Sequence, residues 1–151
     1  MSKHIYKSHN KTLLLYHLVF PVKYRQKVLT TKIEKSICDI CIAISERYEI
    51  IFVEIGLEEN HVHLLVQGIP AMAVTRIVTI IKSIIAREIF RLYPNLKKQL
   101  WGGNFWTSGY YANTVGQYAG EDAIVQYIKN QGKEKYKKLY ENNLGLEDFE
   151  C

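Results

Sequence analysis

No stretch of this chain approaches the roughly 18 consecutive apolar residues that a membrane span needs. The most apolar run, Ile77 to Ile85, is interrupted by Lys82. Nor does Met1-Ser2-Lys3-His4 lead into the apolar segment that opens a secretory leader. Cysteine is scarce: the count is 3, and no second C-x-x-C follows Cys38 and Cys41. That argues against a zinc ribbon, and a mid-helix pair with no histidine beside it argues against a redox motif. Small buried residues are the simpler reading, and a reducing cytoplasm is the expected compartment. The 3 prolines stand at Pro21, Pro70 and Pro94, where they punctuate the chain. Acidic side chains number 15 against 20 lysines and arginines, leaving a net charge of +5 that favours a polyanionic partner. Repeats, low-complexity tracts and linkers are missing, so the 151 residues are expected to form one domain.

What is present alternates between strand and helix patterns. Residues 1–11 are polar and basic, a frayed arm or a peripheral strand extension. Thr12 to Phe20 is rich in strand formers and is stopped by Pro21. Its His17 reads as a histidine at a sheet surface in preference to a metal ligand. Lys23, Arg25 and Lys27 form a basic connector, either solvated or in contact with phosphate. From Thr30 or Thr31 to about Tyr48, Ile33, Ile37, Ile40, Cys41 and Ile44 recur at helical spacing. Glu49 to Gly56 and His61 to Gln67 are two strands joined by a tight turn. A second helix runs from about Val74 to Tyr93, with Ile77, Ile81, Ile84, Ile85 and Leu92 toward the core. Its other face carries Arg76, Ser83, Arg87 and Arg91, a solvated stripe or a phosphate contact. Lys97, Lys98 and the aromatic run from Trp101 form a loop. Phe105 to Val115 reads as a strand kinked at Gly109. Glu121 to about Gln131 is a helix, Lys133 to Tyr140 a further helical segment, and Leu144 to Cys151 an acidic tail.

Strand, helix, strand, strand, helix, strand, and then a helix is the α+β, ferredoxin-like split βαβ pattern. It predicts an antiparallel sheet with its first and third strands central and the first two helices on one face. The other face is left for the C-terminal helix.

The third strand opens with His61-Val62-His63. Side chains alternate along a strand, so the two imidazoles share a face, with Cα atoms roughly 6–7 Å apart. That spacing lets both rings reach one metal ion, although the triplet alone is a weak signal. Near the C-terminus, Tyr127 and Gln131 stand at i and i+4, one helical turn apart. A glutamine carbonyl is a hard oxygen ligand. Two imidazoles with one amide oxygen and no thiolate favour Mg²⁺ or Mn²⁺ over structural zinc. A tyrosine one turn from such a ligand suits attack on a polarised phosphodiester, giving a phosphotyrosine that stores the bond energy without ATP. On the residues alone, Tyr110, Tyr111 and Tyr118 remain rival nucleophiles.

His61-Val62-His63-Leu64-Leu65, Tyr110-Tyr111-Ala112-Asn113-Thr114-Val115-Gly116 and Tyr127-Ile128-x-x-Gln131 together resemble the single-tyrosine HUH transposases of the insertion-sequence 200/605 family. The likeness runs from about residue 10 to 135. It implies His61, His63 and Gln131 as metal ligands and Tyr127 as nucleophile. The implied substrate is single-stranded DNA recognised through hairpins, cut to a 5′-phosphotyrosine and a free 3′-OH. It further implies a homodimer whose sites pair the histidines of one subunit with the tyrosine helix of the other. Asn60 departs from the Asp that many relatives carry before the histidine pair.

Lys23, Arg25, Lys27, Arg76, Arg87 and Arg91 suit contacts to backbone phosphates. Phe105, Trp106, Tyr110 and Tyr111 offer rings for unpaired bases, with core packing expected for about half of them. Two other readings stand. One is a domesticated relative that cuts chromosomal hairpin repeats. The other is a non-catalytic ferredoxin-like module that binds nucleic acid through sheet aromatics.

Overall fold

A computed structural model describes residues 2–116, 125–126 and 128–129. The expected nucleophile Tyr127, the expected ligand Gln131, the segment Lys133 to Tyr140 and the acidic tail lie outside the described residues.

The chain begins with a short hairpin, β1 (Ile5–Lys7) and β2 (Asn10–Thr12), paired antiparallel. These strands are too short and polar to show alternation, which is why the sequence reads as an arm. The hairpin is tied down at both ends. Gln67 Nε2 donates to the Lys3 carbonyl at 2.8 Å, and Lys7 pairs with Glu49.

Four strands form the main sheet: β3 (Leu14–Pro21), β4 (Ile51–Leu57), β5 (His61–Gly68) and β6 (Tyr111–Val115). Their spatial order is β4-β5-β3-β6, every pair antiparallel, so the first and third long strands are central as expected. Helices α1 (Thr31–Arg47) and α2 (Val74–Leu92) cover one face, and a short α3 (Pro94–Gln99) follows. Thr30 caps α1 by accepting from the Ile33 N–H at 3.4 Å, which satisfies an otherwise orphaned donor.

The main core lies between that face and the helices. Leu18 and Phe20 of β3 meet Val62, Leu64 and Val66 of β5, and all pack against Ile33, Ile37, Cys41 and Ile44 of α1 and Ile77, Ile81, Ile85 and Ile89 of α2. Burying each such side chain contributes about 1.5–3 kcal/mol. At Gly68, a Cβ would meet Ile77 Cδ1 at 2.8 Å, so β5 ends on a residue small enough for α2 to approach. Cys41 is a free thiol in this core, and burial pushes it up to about 12, the opposite of a thiolate ligand.

Two expectations need correction. Leu92 is 45 % exposed; one turn after Ile89 the inward position falls to Tyr93, which packs against the core. The strand expected from Phe105 starts only at Tyr111. Phe105 and Trp106 instead turn into the helix layer, their rings 4.5 Å apart, with Trp106 Nε1 donating to the Lys82 carbonyl at 3.0 Å. The chain must then cross from the helix layer to the sheet edge, and residues 107–110 make that crossing outside any strand. As expected, two of the four aromatics are core. Tyr110 and Tyr111 are 42 % and 43 % exposed.

Candidate active site

Parity along β5 sends His61, His63, Leu65 and Gln67 to the sheet face opposite α1 and α2. A second, smaller core sits there: Leu15, Leu65, Val115 and Ile128, with Val125 packed against it. Residues 125–126 and 128–129 are helical. The C-terminal helix therefore seats apolar residues on the histidine face, beside Leu65 and two strand positions from His63.

His61 and His63 are both buried, with ring centroids 4.9 Å apart and planes at 66°. Each has its Nδ1 engaged. Asn60 Oδ1 lies 2.6 Å from His61 Nδ1. The amide oxygen accepts, so Nδ1 carries the proton and Nε2 keeps its lone pair. Asn60 thus fills the role open to an aspartate at this position, without a charge. His63 Nδ1 lies 3.1 Å from His17 Nε2, with the two rings near-parallel at 18°.

His17 corrects the expectation of a histidine at a sheet surface. It is buried, facing His63 from β3, where it sits opposite Leu65 in the register. Alternation fixes which residues of one strand share a face, but not which residue of the neighbour lies beside them. The sequence signal was available only as parity: His17 is in step with Leu15, which lies on the same face.

Burial lowers His17 to about 4. It also lowers His61 to about 4, with the positive charge of Arg25 adding to the effect. His63 falls well below the ordinary range, first by burial and then through His61 and His17. All three are neutral near pH 7, the form in which imidazole binds metal. Arg25 reaches this site from a 3-10 turn at Lys23–Arg25. It lines a hollow of about 400 Å³ with Val19, Pro21, Tyr110 and Tyr111.

Two neutral imidazoles on one face, each with its Nδ1 in a hydrogen bond, are a nitrogen donor pair of the kind that binds a divalent cation. Among the described residues no three His, Cys, Asp or Glu side chains converge as a metal site. The expected third ligand, Gln131, lies outside the described residues.

The expected DNA contacts separate. Arg25 lies by His61, and Lys23 lines a neighbouring pocket. Lys27 pairs with Glu59 at 3.5 Å on the surface. Arg76, Arg87 and Arg91 stand on α2, in the layer behind the sheet; Glu88 accepts from Arg91 at 3.0 Å and lies 4.0 Å from Arg87. No helix among the described residues is long and apolar enough to cross a membrane.

Known proteins resemble this chain in sequence and fold. The family described as "Transposase IS200 like" matches residues 10–131. The ISDra2 transposase TnpA of Deinococcus radiodurans is 38% identical over 120 residues, spanning 78% of this chain and 84% of that protein. The transposase for insertion sequence element IS200 of Salmonella typhimurium is 27% identical over 127 residues, covering 84% and 82% of the two chains. Among solved structures, a Deinococcus radiodurans protein described as a transposase superposes with a TM-score of 0.70 at 31% identity, over 84% of this chain and 97% of that one. A REP-associated tyrosine transposase bound to a REP hairpin gives 0.58 at 12% identity, over 95% and 76%, a likeness of fold. With residues 10–131 matched by the family model and a relative 38% identical over most of both chains, the chain belongs to the IS200-like transposase family.

Proposed function

We propose that this transposase cuts and rejoins single-stranded DNA at hairpin-flanked element ends through a 5′-phosphotyrosine on Tyr127. The observation that carries the reading is the pair of neutral imidazoles, His61 and His63, on the sheet face that also receives the C-terminal helix. His61 and His63, with Gln131, would hold Mg²⁺ or Mn²⁺. When bound, that ion supplies a Lewis acid that polarises the scissile phosphodiester. The Tyr127 phenol would give up its proton as its oxygen attacks phosphorus; the P–O3′ bond would break and the departing 3′-oxygen would take up a proton, so protons balance over the step. The DNA 5′ end remains on the tyrosine as a phosphodiester until a new 3′-OH attacks and releases it, so no nucleotide cofactor is consumed. Arg25, beside His61, offers a guanidinium to the same phosphate. Asn60 and His17 hold the two imidazoles in one orientation. The chain would act as a homodimer; Val125 and Ile128 seat the C-terminal helix on the histidine face of its own chain, and exchange of that helix between subunits would let the histidines of one be served by the tyrosine of its partner.

The test is a labelled hairpin oligonucleotide with single-stranded flanks, incubated with the protein and Mg²⁺ and run on a denaturing gel. The expected result is a covalent adduct that depends on Mg²⁺ and disappears in Tyr127→Phe while DNA binding persists. An adduct surviving in Tyr127→Phe, or cleavage of the blunt duplex of the same sequence, would overturn the reading.

A further inference from the structure

The crossing segment at 104–110 separates two hollows. The one beside His61 is the 400 Å³ depression that Arg25 lines. Behind the segment, against α2 and the turn at Lys23–Arg25, lies an open pocket of about 740 Å³. Thr107 and Tyr110 line both, so the two adjoin across a single wall. None of the groups assigned to cutting lies in the larger pocket.

Its chemistry is particular. Tyr24 and Tyr110 bring rings that are 63 % and 42 % exposed, so neither is spent on core packing. Lys23 brings an ammonium 5.2 Å from the Tyr24 ring, and Asn104 and Ser83 bring groups that donate and accept. A cation beside exposed rings is the combination that holds unpaired nucleotides, because every base has a face to stack and every nucleotide a phosphate. The volume is in the range of small-ligand sites.

The walls are also held in place. Tyr24 and Arg25 have φ of 57° and 51°, two consecutive residues in the left-handed region without a glycine. Such outliers persist where surrounding structure enforces them, and they concentrate at functional sites. Here the turn sends neighbouring side chains to different hollows, Tyr24 to the larger and Arg25 to the smaller. On the opposite side Lys82 Nζ donates to the carbonyls of Thr107 at 2.8 Å and Gly109 at 3.0 Å, which fixes the crossing segment against α2.

We propose that this pocket takes one unpaired nucleotide of the strand that passes His61, its base against the Tyr24 and Tyr110 rings and its phosphate at Lys23. The inference rests on the single-strand reading above and adds to it a second point at which the flank is gripped. A paired base cannot enter, because its faces are already occupied in the duplex stack.

The experiment scans the flank of the hairpin oligonucleotide with one abasic position at a time. Affinity is measured at fixed salt for the wild-type chain and for the double variant Tyr24→Asn, Tyr110→Ala. Asparagine tolerates the left-handed backbone at 24, and melting curves confirm that the variant is folded. In the wild type, one flank position is expected to lose roughly tenfold in affinity when its base is removed. The variant should show that loss on the intact flank, and the abasic site should then add nothing. Lys23→Gln should flatten the salt dependence by about one counterion. A wild-type chain that prefers the flanked hairpin over duplex but responds evenly to every abasic position overturns the pocket alone. So does a double variant that binds the intact flank as the wild type does. A wild-type chain with no preference for the flanked hairpin overturns the single-strand reading and the pocket with it.

Discussion

Val62, Leu64 and Val66 leave β5 toward α1 and α2, whereas His61, His63, Leu65 and Gln67 leave it toward the C-terminal helix, and all eight positions of the strand are buried. Burial therefore does not separate the two faces; what is buried does. On the helix side the strand contributes apolar surface, whose removal from water is favourable in itself. On the other side the same strand carries imidazoles that burial forces to stay neutral, and their Nδ1 atoms need Asn60 and His17. One face of β5 builds stability. The other carries polar rings whose burial costs stability unless they are hydrogen-bonded.

The sharpest way to break that contrast is to truncate neighbouring residues. His63→Ala should reduce metal-dependent DNA cleavage to background while changing stability by less than about 2 kcal/mol, since the change also removes a costly buried polar ring. Leu64→Ala, one residue on and facing α2, should do the reverse. It should destabilise by about 2–5 kcal/mol, lowering Tm by roughly 5–15 °C, with cleavage at low temperature preserved. Melting curves and gel assays on the two variants decide the matter. If both lose stability to the same extent with activity intact, the division between faces is wrong.

A smaller effect is expected from His17. His17→Phe keeps the ring and its packing but removes the nitrogen that faces His63 Nδ1. Mn²⁺ affinity, measured by calorimetry, should fall roughly 10–100-fold, the usual cost of losing a group that orients a ligand. His17→Gln should recover much of it. Unchanged affinity in His17→Phe would reduce His17 to a packing residue.

His17 also marks where the sequence stopped being legible. The periodicities of α1, α2 and β5 were clear because each is long and strictly patterned, and the resulting order of elements matched the split βαβ pattern from which the sheet order follows. The periodicities also put His61 and His63 on one face of the strand, opposite Val62 and Leu64. Contacts between strands depend on register, which a single strand's alternation does not contain, so the His17–His63 pair was invisible. Residues 105–110 have the composition of a strand, yet Phe105 and Trp106 are drawn into the helix layer by the space under α2, and the strand starts late. The pocket behind them could not be read either, since its walls come from three separate segments. Asn60 was read as a departure from relatives, although its amide oxygen offers His61 the same acceptor a carboxylate would.

The smallest effect tests whether the faces are electrically separate. Glu34, in the first turn of α1, is pushed up to about 7 by burial and then by the charges of Glu58 and Glu59 in the β4–β5 turn. A carboxyl raised in the folded state and ordinary in the unfolded state favours folding least when ionised. Its penalty is absent below about pH 4.5, grows as pH rises toward 7 and is constant above that. Glu34→Gln removes the charge and keeps the shape. Because Glu34 is only partly buried and solvent screens its repulsion with the exposed Glu59, the gain should be modest: a Tm higher by about 1–2 °C at pH 8, shrinking through pH 6 and gone near pH 4.5. Cleavage should be unchanged at every pH where both proteins are folded, because the His61–His63 pair lies across the sheet from α1. A gain that does not vary with pH would assign the effect to something other than this carboxyl. A change in cleavage without a change in stability would mean that the charge at Glu58 and Glu59, next to Asn60, is felt on the histidine side after all.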